Sequence, residues 1–373
     1  MNVSEEIIAK LKTADIDFFA TYPCAKIQSL LMLTHSHFQS LGVTKEEEGV
    51  GICAGAALAG AKPAMLIQST GLGNMINALC SLTLTYRLPL LIMVSWRGVY
   101  QEIIPAQTPL GQSLPKILKA IGATFYVIEK RSNLTRLDKA IKETYSRNSL
   151  QVVLFSPQLW EKEEFPDVRQ ENFLSTNSAP NLAPVSVERK LTRYEILQSL
   201  APFLEKKVVI SNIGYPSREL YQVKPQPSNF YMLGSLGLAS AIGLGGSVFT
   251  KREVVVIDGD GSLLSNLGVL ASIAQLAPPN LTIVAIDNSA HGSTGNQTTP
   301  TAGTVDLGLT AKGLGIEKVF RFSDRKELEA LPSVIGEGPT FLHVIARAGN
   351  AKVPPIPLSP TVIKQIFMEE LQK

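Results

Sequence analysis

Short apolar runs alternate with longer segments of mixed polar and apolar residues through the first part of the chain. A strand that is buried on both faces reads as a continuous apolar run. The segments between the runs carry helix signals, such as Ser4, which we expect to cap a helix that begins with Glu5 and Glu6. The predicted strands are 18–20, 64–67, 88–94, 125–128 and 152–155. Their alternation with helices predicts a mostly parallel sheet with helices on both faces.

The second part of the chain repeats this alternation, with predicted strands at 208–210, 254–257, 281–286 and 341–345. Between the two parts lies the segment 166–190, which is polar and contains three prolines. Such a composition is typical of a surface linker. We therefore predict an α/β protein with two domains, 1–165 and 191–373, joined by this linker.

Composition narrows the function classes. The 373 residues are 45% hydrophobic and 18% charged, which fits two folded domains and argues against disorder. The formal charge of +3 comes without a block of Lys or Arg, so we expect no nucleic-acid partner, although a small basic excess suits an anionic substrate. No apolar run of about 18 residues appears, so we expect no membrane span. The three cysteines form no CxxC pair, and together with the lack of a signal peptide they predict a cytoplasmic protein.

Polar residues follow two neighbouring strands of the predicted second sheet. Gly259, Asp260, Gly261 and Ser262 come after strand 254–257, and Asn288 comes after the next strand. Ligands in open α/β sheets bind beyond the carboxyl ends of the strands.

Asp and Asn oxygens suit Mg²⁺, the glycines let the backbone approach a phosphate, and a helix after Ser262 would direct its N–H groups to the same anion. A Gly/Asp-rich turn alone is equally typical of an ordinary strand-to-helix turn. The correctly spaced Asn288 favours the ion site.

The segment GDGSLLSNLGVLASIAQLAPPNLTIVAIDN resembles the diphosphate-binding signature of thiamine-diphosphate enzymes. That signature ends in two asparagines, and here Asp287 stands in place of the first. The resemblance implies that Asp260, Asn288 and the backbone carbonyl of Ala290 hold Mg²⁺, which binds the diphosphate. It also implies that both domains are of the thiamine-diphosphate-binding type, with 1–165 binding the pyrimidine and 191–373 the diphosphate.

The segment Gly234-Ser235-Leu236-Gly237 is similar to the part of these enzymes that lies under the thiazolium ring. The resemblance implies that Leu236 holds the cofactor in its bent shape and that the Gly234 carbonyl accepts a hydrogen bond from the aminopyrimidine. Without the resemblance, the same residues would instead favour a helix N-cap with packing glycines.

Three consecutive acids precede a helix of small residues in GVGICAGAALAG. They resemble the glutamate stretch from which the family supplies an acid to the pyrimidine nitrogen N1′. The family spacing favours Glu46 as this acid and Glu47 as the second choice. The alternative is a solvated acidic helix start, which the closely packing small-residue helix disfavours.

The segment QSTGLGN at 68–74 resembles the turn near the pyrimidine in sulfopyruvate and phosphonopyruvate decarboxylases. It implies cofactor contacts from Gly71, Gly73 and Asn74, and substrate contacts from Gln68 and Thr70. Neither GxGxxG nor GxxxxGK[ST] occurs, so a dinucleotide site or a P-loop is disfavoured.

The chain is most similar to sulfopyruvate decarboxylases, in a form that fuses two subunits. The similarity lies in the compact two-domain layout and in the segments TYPCAKIQSLL and IPAQTPLG. The resemblance implies decarboxylation of 3-sulfopyruvate to sulfoacetaldehyde and CO₂ in coenzyme M biosynthesis. It also implies a homodimer or homotetramer with active sites between subunits. Two alternatives are phosphonopyruvate as the substrate and a non-catalytic subunit that binds thiamine diphosphate.

The substrate's anionic group needs cationic or N–H partners. Arg97 follows a predicted strand and is the first candidate, ahead of Arg87 and Arg218, although a surface salt bridge is an equal expectation for it. His291 follows the metal segment, where it would either transfer a proton or have a structural role.

Overall fold

The computed structural model describes residues 2–161, 188–329, 331 and 338–373. The described chain forms two parallel sheets of six strands each, flanked by helices, which confirms the predicted fold class. The predicted linker lies outside the described residues except for 188–190, so the domain boundaries stay predictions. None of the described helices is both long and apolar enough to span a membrane.

The first sheet has the strand order β2-β1-β3-β4-β6-β5. Its strands are β1 Phe18–Thr21, β2 Gln39–Gly42, β3 Pro63–Gln68, β4 Leu90–Ser95, β5 Thr124–Ile128 and β6 Leu150–Phe155. The second sheet has the order β13-β14-β10-β9-β7-β8, and a two-stranded hairpin adds β11 and β12. These strands are β7 Val208–Ser211, β8 Asn229–Tyr231, β9 Val254–Gly259, β10 Leu281–Asp287, β11 Ala290–His291, β12 Gln297–Thr298, β13 Lys318–Phe322 and β14 Thr340–Ile345.

The helices cover both faces of the two sheets. In the first part they are α1 Val3–Thr13, α2 Gln28–His37, α3 Glu46–Leu58, α4 Ser69–Gly73, α5 Ile76–Ala78, α6 Thr108–Ala120 and α7 Thr135–Arg147. In the second part they are α8 Arg193–Leu200, α9 Tyr215–Val223, α10 Ala239–Phe249, α11 Asp260–Ser265, α12 Gly268–Leu276, α13 Leu307–Gly313, α14 Arg325–Glu329 and α15 Pro360–Leu371.

The start of α1 differs from the prediction. Asn2 is the N-cap, and it forms a capping box with Glu5, whose side chain accepts from the Asn2 backbone N–H. Ser4 instead lies inside the helix, where its buried hydroxyl accepts a hydrogen bond from the Trp160 indole at 2.8 Å. Ser4 as the cap was therefore wrong, because Asn2 offers the same capping oxygen two residues earlier.

Two helices rich in small residues join the halves of the chain. A Cβ added at Gly55 of α3 would lie 2.0 Å from the Ile242 carbonyl oxygen, and one added at Gly245 of α10 would lie 1.9 Å from the Ile52 carbonyl oxygen. Only glycine permits backbones to approach this closely. The small-residue pattern after the three acids thus brings α3 against α10, and Glu46 lies at the N-terminal end of this contact.

Candidate active site

A cavity of about 470 Å³ opens at the carboxyl edge of the second sheet. The site residues predicted from the sequence that line it are Leu236, Gly259, Asp260, Gly261, Ser262, Asn288, Ala290 and His291. Apart from Leu236, which precedes α10, they come from the ends of β9 and β10 and from the segments that follow. The crossover between these parallel strands therefore brings the two predicted metal-binding segments together, as the spacing indicated.

The glycine turn after β9 lies against this cavity. A Cβ added at Gly259 would meet only the Asn212 amide, at 3.8 Å, so the space above this residue is open. A Cβ added at Gly261 would lie 2.5 Å from the imidazole of His291, which packs directly over the turn. The helix that we expected after Ser262 begins earlier, at Asp260, and has six residues.

Two threonines that sequence reasoning missed hold the Asp260 carboxylate. The Thr299 hydroxyl donates to Asp260 Oδ2 at 2.5 Å, and the Thr301 hydroxyl lies 3.3 Å from the same oxygen. Burial raises the pKa of Asp260, and the Thr299 hydrogen bond opposes this increase while the nearby Asp287 carboxylate adds to it. A divalent cation beside Asp260 would offset the cost of this buried negative charge.

Asp287, which stands where the family pattern has an asparagine, is held by hydrogen bonds within the protein. Its Oδ2 lies 3.0 Å from Nε2 of the buried His343, and its Oδ1 accepts from the Thr301 hydroxyl at 2.7 Å. Burial opposes ionisation, but the hydrogen bonds of His343 and Thr301 lower the pKa of Asp287. His343 also faces Asp306, 3.5 Å from its Nδ1. Although burial lowers the pKa of His343, its hydrogen bonds with the two aspartates outweigh that effect and raise it.

Asn288 and Ala290 offer the oxygens expected for a metal. Asn288 Oδ1 accepts from the Ala290 backbone N–H at 3.2 Å, and the Ala290 carbonyl accepts from the Gly292 N–H at 3.0 Å. The buried Asn288 Nδ2 has no hydrogen-bond partner among the described residues. The described part of the chain holds no group of three or more His, Cys, Asp or Glu side chains that could bind a metal. An ion here would therefore rely on one carboxylate, amide and backbone oxygens, and phosphate, a donor set that fits Mg²⁺.

The turn before α10 carries two left-handed residues, Ser235 at φ 62° and Gly237 at φ 89°. The Ser235 hydroxyl lies 2.6 Å from that of Ser81, and the Gly237 N–H donates to the Ser262 hydroxyl at 3.1 Å. The first contact joins the turn to residue 81 of the first half of the chain, and the second holds it against the glycine turn after β9. Leu236 projects from it with 49% of its surface exposed, at the wall of the cavity.

The first half of the chain forms a separate cluster around Glu46. This residue is 4% exposed, and its Oε2 accepts from the Asn74 side-chain amide at 3.0 Å. Gly71 lies so close that an added Cβ would be 2.3 Å from Glu46 Oε1. Glu47 instead pairs with Lys45 at 2.7 Å. Glu46, Gly71 and Asn74 thus come together as the sequence indicated, whereas Gly73 packs against Leu110.

Arg97 follows β4, beside the end of β3. Gln68 is the neighbour of Ser95 in the pairing of these strands, and Thr70 lies in the short helix α4 that follows β3. The Ser69 hydroxyl donates to the Arg97 carbonyl at 3.1 Å and accepts from its backbone N–H at 3.0 Å. The Arg97 side chain is buried, and its guanidinium pairs with Glu102, which the sequence did not indicate.

The two clusters do not share a cavity. All described residues that line the cavity at Asp260 belong to the second half of the chain, so Glu46, Glu47, Gly71, Gly73, Asn74, Gln68, Thr70 and Arg97 are not among them. Gly234 and Ser235 are not among the lining residues either. Of the weaker arginine candidates, Arg218 lines the cavity, whereas Arg87 lies elsewhere and accepts from the Lys364 ammonium through its carbonyl.

Comparison with protein families matches both halves of the chain. Residues 1–115 match the N-terminal TPP-binding domain of thiamine pyrophosphate enzymes, and residues 212–344 match the C-terminal TPP-binding domain. The matched ranges contain the Glu46 cluster and most of the residues that line the Asp260 cavity, respectively.

Similar proteins of known name agree with this match. A sulfopyruvate decarboxylase from Methanosarcina acetivorans is 39% identical over 389 aligned positions, which cover 100% of this chain and 98% of the relative. A phosphonopyruvate decarboxylase from Streptomyces viridochromogenes is 30% identical, over 92% of this chain and 88% of the relative. Among solved structures, a benzoylformate decarboxylase from Polynucleobacter necessarius superposes with a TM-score of 0.72 at 13% identity, covering 95% of this chain and 100% of that one. This last likeness concerns the fold alone.

Proposed function

The chain belongs to the thiamine pyrophosphate enzymes, and we propose that it decarboxylates 3-sulfopyruvate to sulfoacetaldehyde and CO₂, as a step of coenzyme M biosynthesis. The observation that carries this proposal is the likeness to a sulfopyruvate decarboxylase along the whole chain. When bound, thiamine diphosphate supplies the electron sink that the loss of CO₂ from a 2-oxo acid requires.

The proposed diphosphate site is the glycine turn after β9. Asp260, Asn288 and the Ala290 carbonyl would hold Mg²⁺, and the open space over Gly259 would leave room for the phosphates. The support is the open space over Gly259, the buried Asp260 carboxylate and the unpartnered Asn288 Nδ2, a donor from which a phosphate oxygen could accept. Leu236 would support the bent cofactor from the wall of the same cavity, and the Gly234 carbonyl would bind its aminopyrimidine.

The proposed acid at the pyrimidine is Glu46 rather than Glu47. Glu46 is buried, so solvent does not screen its charge, and it already lies beside Gly71 and Asn74 of the predicted pyrimidine turn. Its Oε atoms would share a proton with the ring nitrogen N1′. Glu47 is paired with the partly exposed Lys45, which is the ordinary state of an acid at a helix start.

Catalysis also needs a proton for the product after CO₂ leaves. His291 lines the cavity and lies over the glycine turn at Gly261, which suits it for proton transfer. The apolar wall that includes Leu233 and Leu236 would keep water from the reacting carboxylate, whose loss is favoured where its charge is poorly solvated.

We also propose that two subunits build each active site, in a homodimer or homotetramer. The support is that Glu46 is not among the described lining of the Asp260 cavity, and that Leu233 and Leu236 are exposed at its wall. The test is to co-express the inactive variants Glu46→Gln and Asp260→Asn. If sites lie between subunits, half of the dimers are hybrids with one intact site in two, and about a quarter of the wild-type activity returns. A mixture as inactive as its parents would contradict shared sites.

The reaction is tested by reconstituting the purified protein with Mg²⁺ and thiamine diphosphate and measuring CO₂ and aldehyde release. We expect sulfopyruvate to give a higher kcat/KM than phosphonopyruvate, which is the second candidate because of the likeness to phosphonopyruvate decarboxylase. A higher kcat/KM for phosphonopyruvate would make phosphonopyruvate the first candidate for the substrate and sulfopyruvate the second. Cofactor binding without CO₂ release from either would favour a non-catalytic subunit, which the buried acid and the formed cavity argue against.

A further inference from the structure

Arg97, which we predicted to bind the substrate, forms a buried ion pair with Glu102. Arg97 Nε donates to Glu102 Oε2 at 2.5 Å, and Arg97 Nη2 donates to Glu102 Oε1 at 2.9 Å. Only 6% of the Arg97 side chain and 5% of the Glu102 side chain are exposed. The hydrogen bond and charge of Arg97 lower the pKa of Glu102 to about 2, so the carboxylate is ionised. This two-point geometry is the one by which arginine recognises planar and tetrahedral oxyanions.

The loop that supplies Glu102 is strained and open to solvent. Gly98, Tyr100 and Gln101 all have positive φ angles, at 86°, 53° and 61°. Left-handed backbone is unfavourable for residues other than glycine, and it persists where the surroundings hold it. The apolar side chain of Ile103, next to Glu102, is 87% exposed. The ion pair therefore holds down a loop that has little packing of its own at residues 101–104.

The ion pair lies close to the proposed acid. Arg97 is bonded through its backbone to Ser69, and Ser69 begins the helix in which Gly71 packs against the Glu46 carboxylate. Arg97 and Glu46 therefore share the carboxyl edge of the first sheet. An anion bound to Arg97 would lie at the same edge as the pyrimidine-binding cluster.

The chemistry of the substrate decides which of its two anions Arg97 would bind. An arginine paired with the reacting carboxylate would stabilise the ground state and oppose its loss as CO₂. An arginine paired with the distal group holds the part of the substrate whose charge does not change. The sulfonate is the group that suits this position.

We infer that Glu102 occupies the binding site of the substrate's distal anion at Arg97, and that the sulfonate displaces it as residues 101–104 move into solvent. The inference rests on the proposed function and extends it, since it makes Glu102 a specificity-determining residue. Binding of a dianionic substrate exchanges one anion for another at Arg97. A substrate without the distal anion cannot drive this exchange.

The variant Glu102→Gln tests this exchange. A neutral amide competes more weakly for the guanidinium, so we expect the KM for sulfopyruvate to fall about tenfold at little-changed kcat. Glu129→Gln is the matched control, because Glu129 accepts from the Tyr100 hydroxyl of the same loop at 2.9 Å and makes no contact with Arg97 that the structure describes. We expect the control to keep the wild-type KM. An unchanged or increased KM in Glu102→Gln would overturn the inference.

A measurement on the wild-type protein keeps the inference testable if the variant does not fold. Both tryptophans of the chain lie at the loop, Trp96 packed on Tyr100 with ring centroids 5.5 Å apart, and Trp160 in the wall of the cavity that Glu102 also lines. We expect 3-sulfopropanoate to change their fluorescence with saturation, and propanoate to leave it unchanged at the same concentrations. Equal responses to both compounds, or none to either, would contradict displacement by the sulfonate.

These outcomes separate the inference from the proposed function. If the wild-type enzyme releases CO₂ from sulfopyruvate while both loop tests fail, only the inferred role of Glu102 is refuted. If the wild-type enzyme releases no CO₂ from sulfopyruvate, the proposed function falls, and the fluorescence titration alone reports whether Arg97 exchanges its partner.

Discussion

The Asp260 cavity and the Glu46 cluster are both built on a buried carboxylate at the end of a strand-and-turn unit, but they differ in how that carboxylate is held. Asp260 is fixed by Thr299 and Thr301, and through Thr301 it is linked to Asp287. Among the described residues, Glu46 has one side-chain donor, Asn74, and otherwise faces the backbone of Gly71.

This difference matches the two tasks. A carboxylate that binds a metal benefits from a fixed position, because the ion demands a defined geometry. A carboxylate that exchanges a proton with a ring nitrogen must keep an oxygen available for that partner. Under the roles we propose, the fixed carboxylate would serve the diphosphate end of the cofactor and the available one the pyrimidine end.

The largest effect should come from replacing Glu46 with a side chain that cannot exchange a proton. We expect Glu46→Gln to lower kcat by about 10²–10⁴-fold, the usual contribution of acid–base catalysis, with little change in the affinity for thiamine diphosphate. Steady-state kinetics and a cofactor titration measure the two effects. Glu47→Gln is the control and should keep at least half of the wild-type kcat. The reverse result would transfer the role to Glu47.

A smaller effect is expected where the fixed carboxylate loses a support. Thr301→Val removes the hydroxyl that links Asp260 to Asp287 while keeping the shape of the side chain. Substitution of residues that orient metal ligands typically weakens metal affinity by about 10–100-fold. We expect the Mg²⁺ affinity that supports cofactor binding to fall by a factor in this range.

Isothermal titration at several Mg²⁺ concentrations measures this affinity. Thr304→Val is the control, because Thr304 is exposed and contacts only the Pro300 carbonyl among its described side-chain hydrogen bonds. Equal Mg²⁺ affinity in both variants would mean that Asp260 needs no support from Thr301.

The central strands of both sheets could be predicted from the sequence, whereas three edge strands could not. The missed strands are β2, β8 and β13, and each lies at an edge of its sheet. An edge strand has one neighbour and needs no continuous apolar run, so Gln39–Gly42 and Lys318–Phe322 are only partly buried and Asn229–Tyr231 has just three residues. Apolar runs identify the strands that are covered on both sides, and among the edge strands of the two sheets they identify only β5, whose residues 125–128 form such a run.

The candidate site divides in the same way. Asp260, Asn288 and His291 could be predicted to meet, since two consecutive parallel strands bring their carboxyl ends to one edge. Thr299 and Thr301 follow a short hairpin, and His343 comes from a third strand, so no local pattern connects them with Asp260. Glu102 could not be assigned to Arg97 either, because its position depends on left-handed residues in the loop between them.

The contact that joins the two regions gives a prediction about stability. Gly245→Ala should destabilise the protein by roughly 1–3 kcal/mol, since the new methyl group would overlap the Ile52 carbonyl of α3. Gly246→Ala is the control from the next position of the same helix, where a Cβ meets only the Gly55 carbonyl oxygen, at 3.8 Å. Alanine is the better helix former, so the control should be neutral or gain up to about 1 kcal/mol. Urea unfolding measures both variants, and equal stabilities would mean that α3 and α10 do not pack this closely.

The smallest effect is expected at the acid next to Glu46. Lys45 and Glu47 form an ion pair whose side chains are 44% and 19% exposed, and pairs of this kind typically contribute about 0.2–1 kcal/mol. A double-mutant cycle with Lys45→Ala and Glu47→Ala, followed by urea unfolding at low and high salt, should give a coupling free energy within that range that decreases with salt. A coupling well above it would mean that Glu47 is held as firmly as a buried carboxylate. The contrast between a solvated Glu47 and a buried Glu46 would then no longer support the choice of Glu46 as the acid at the pyrimidine.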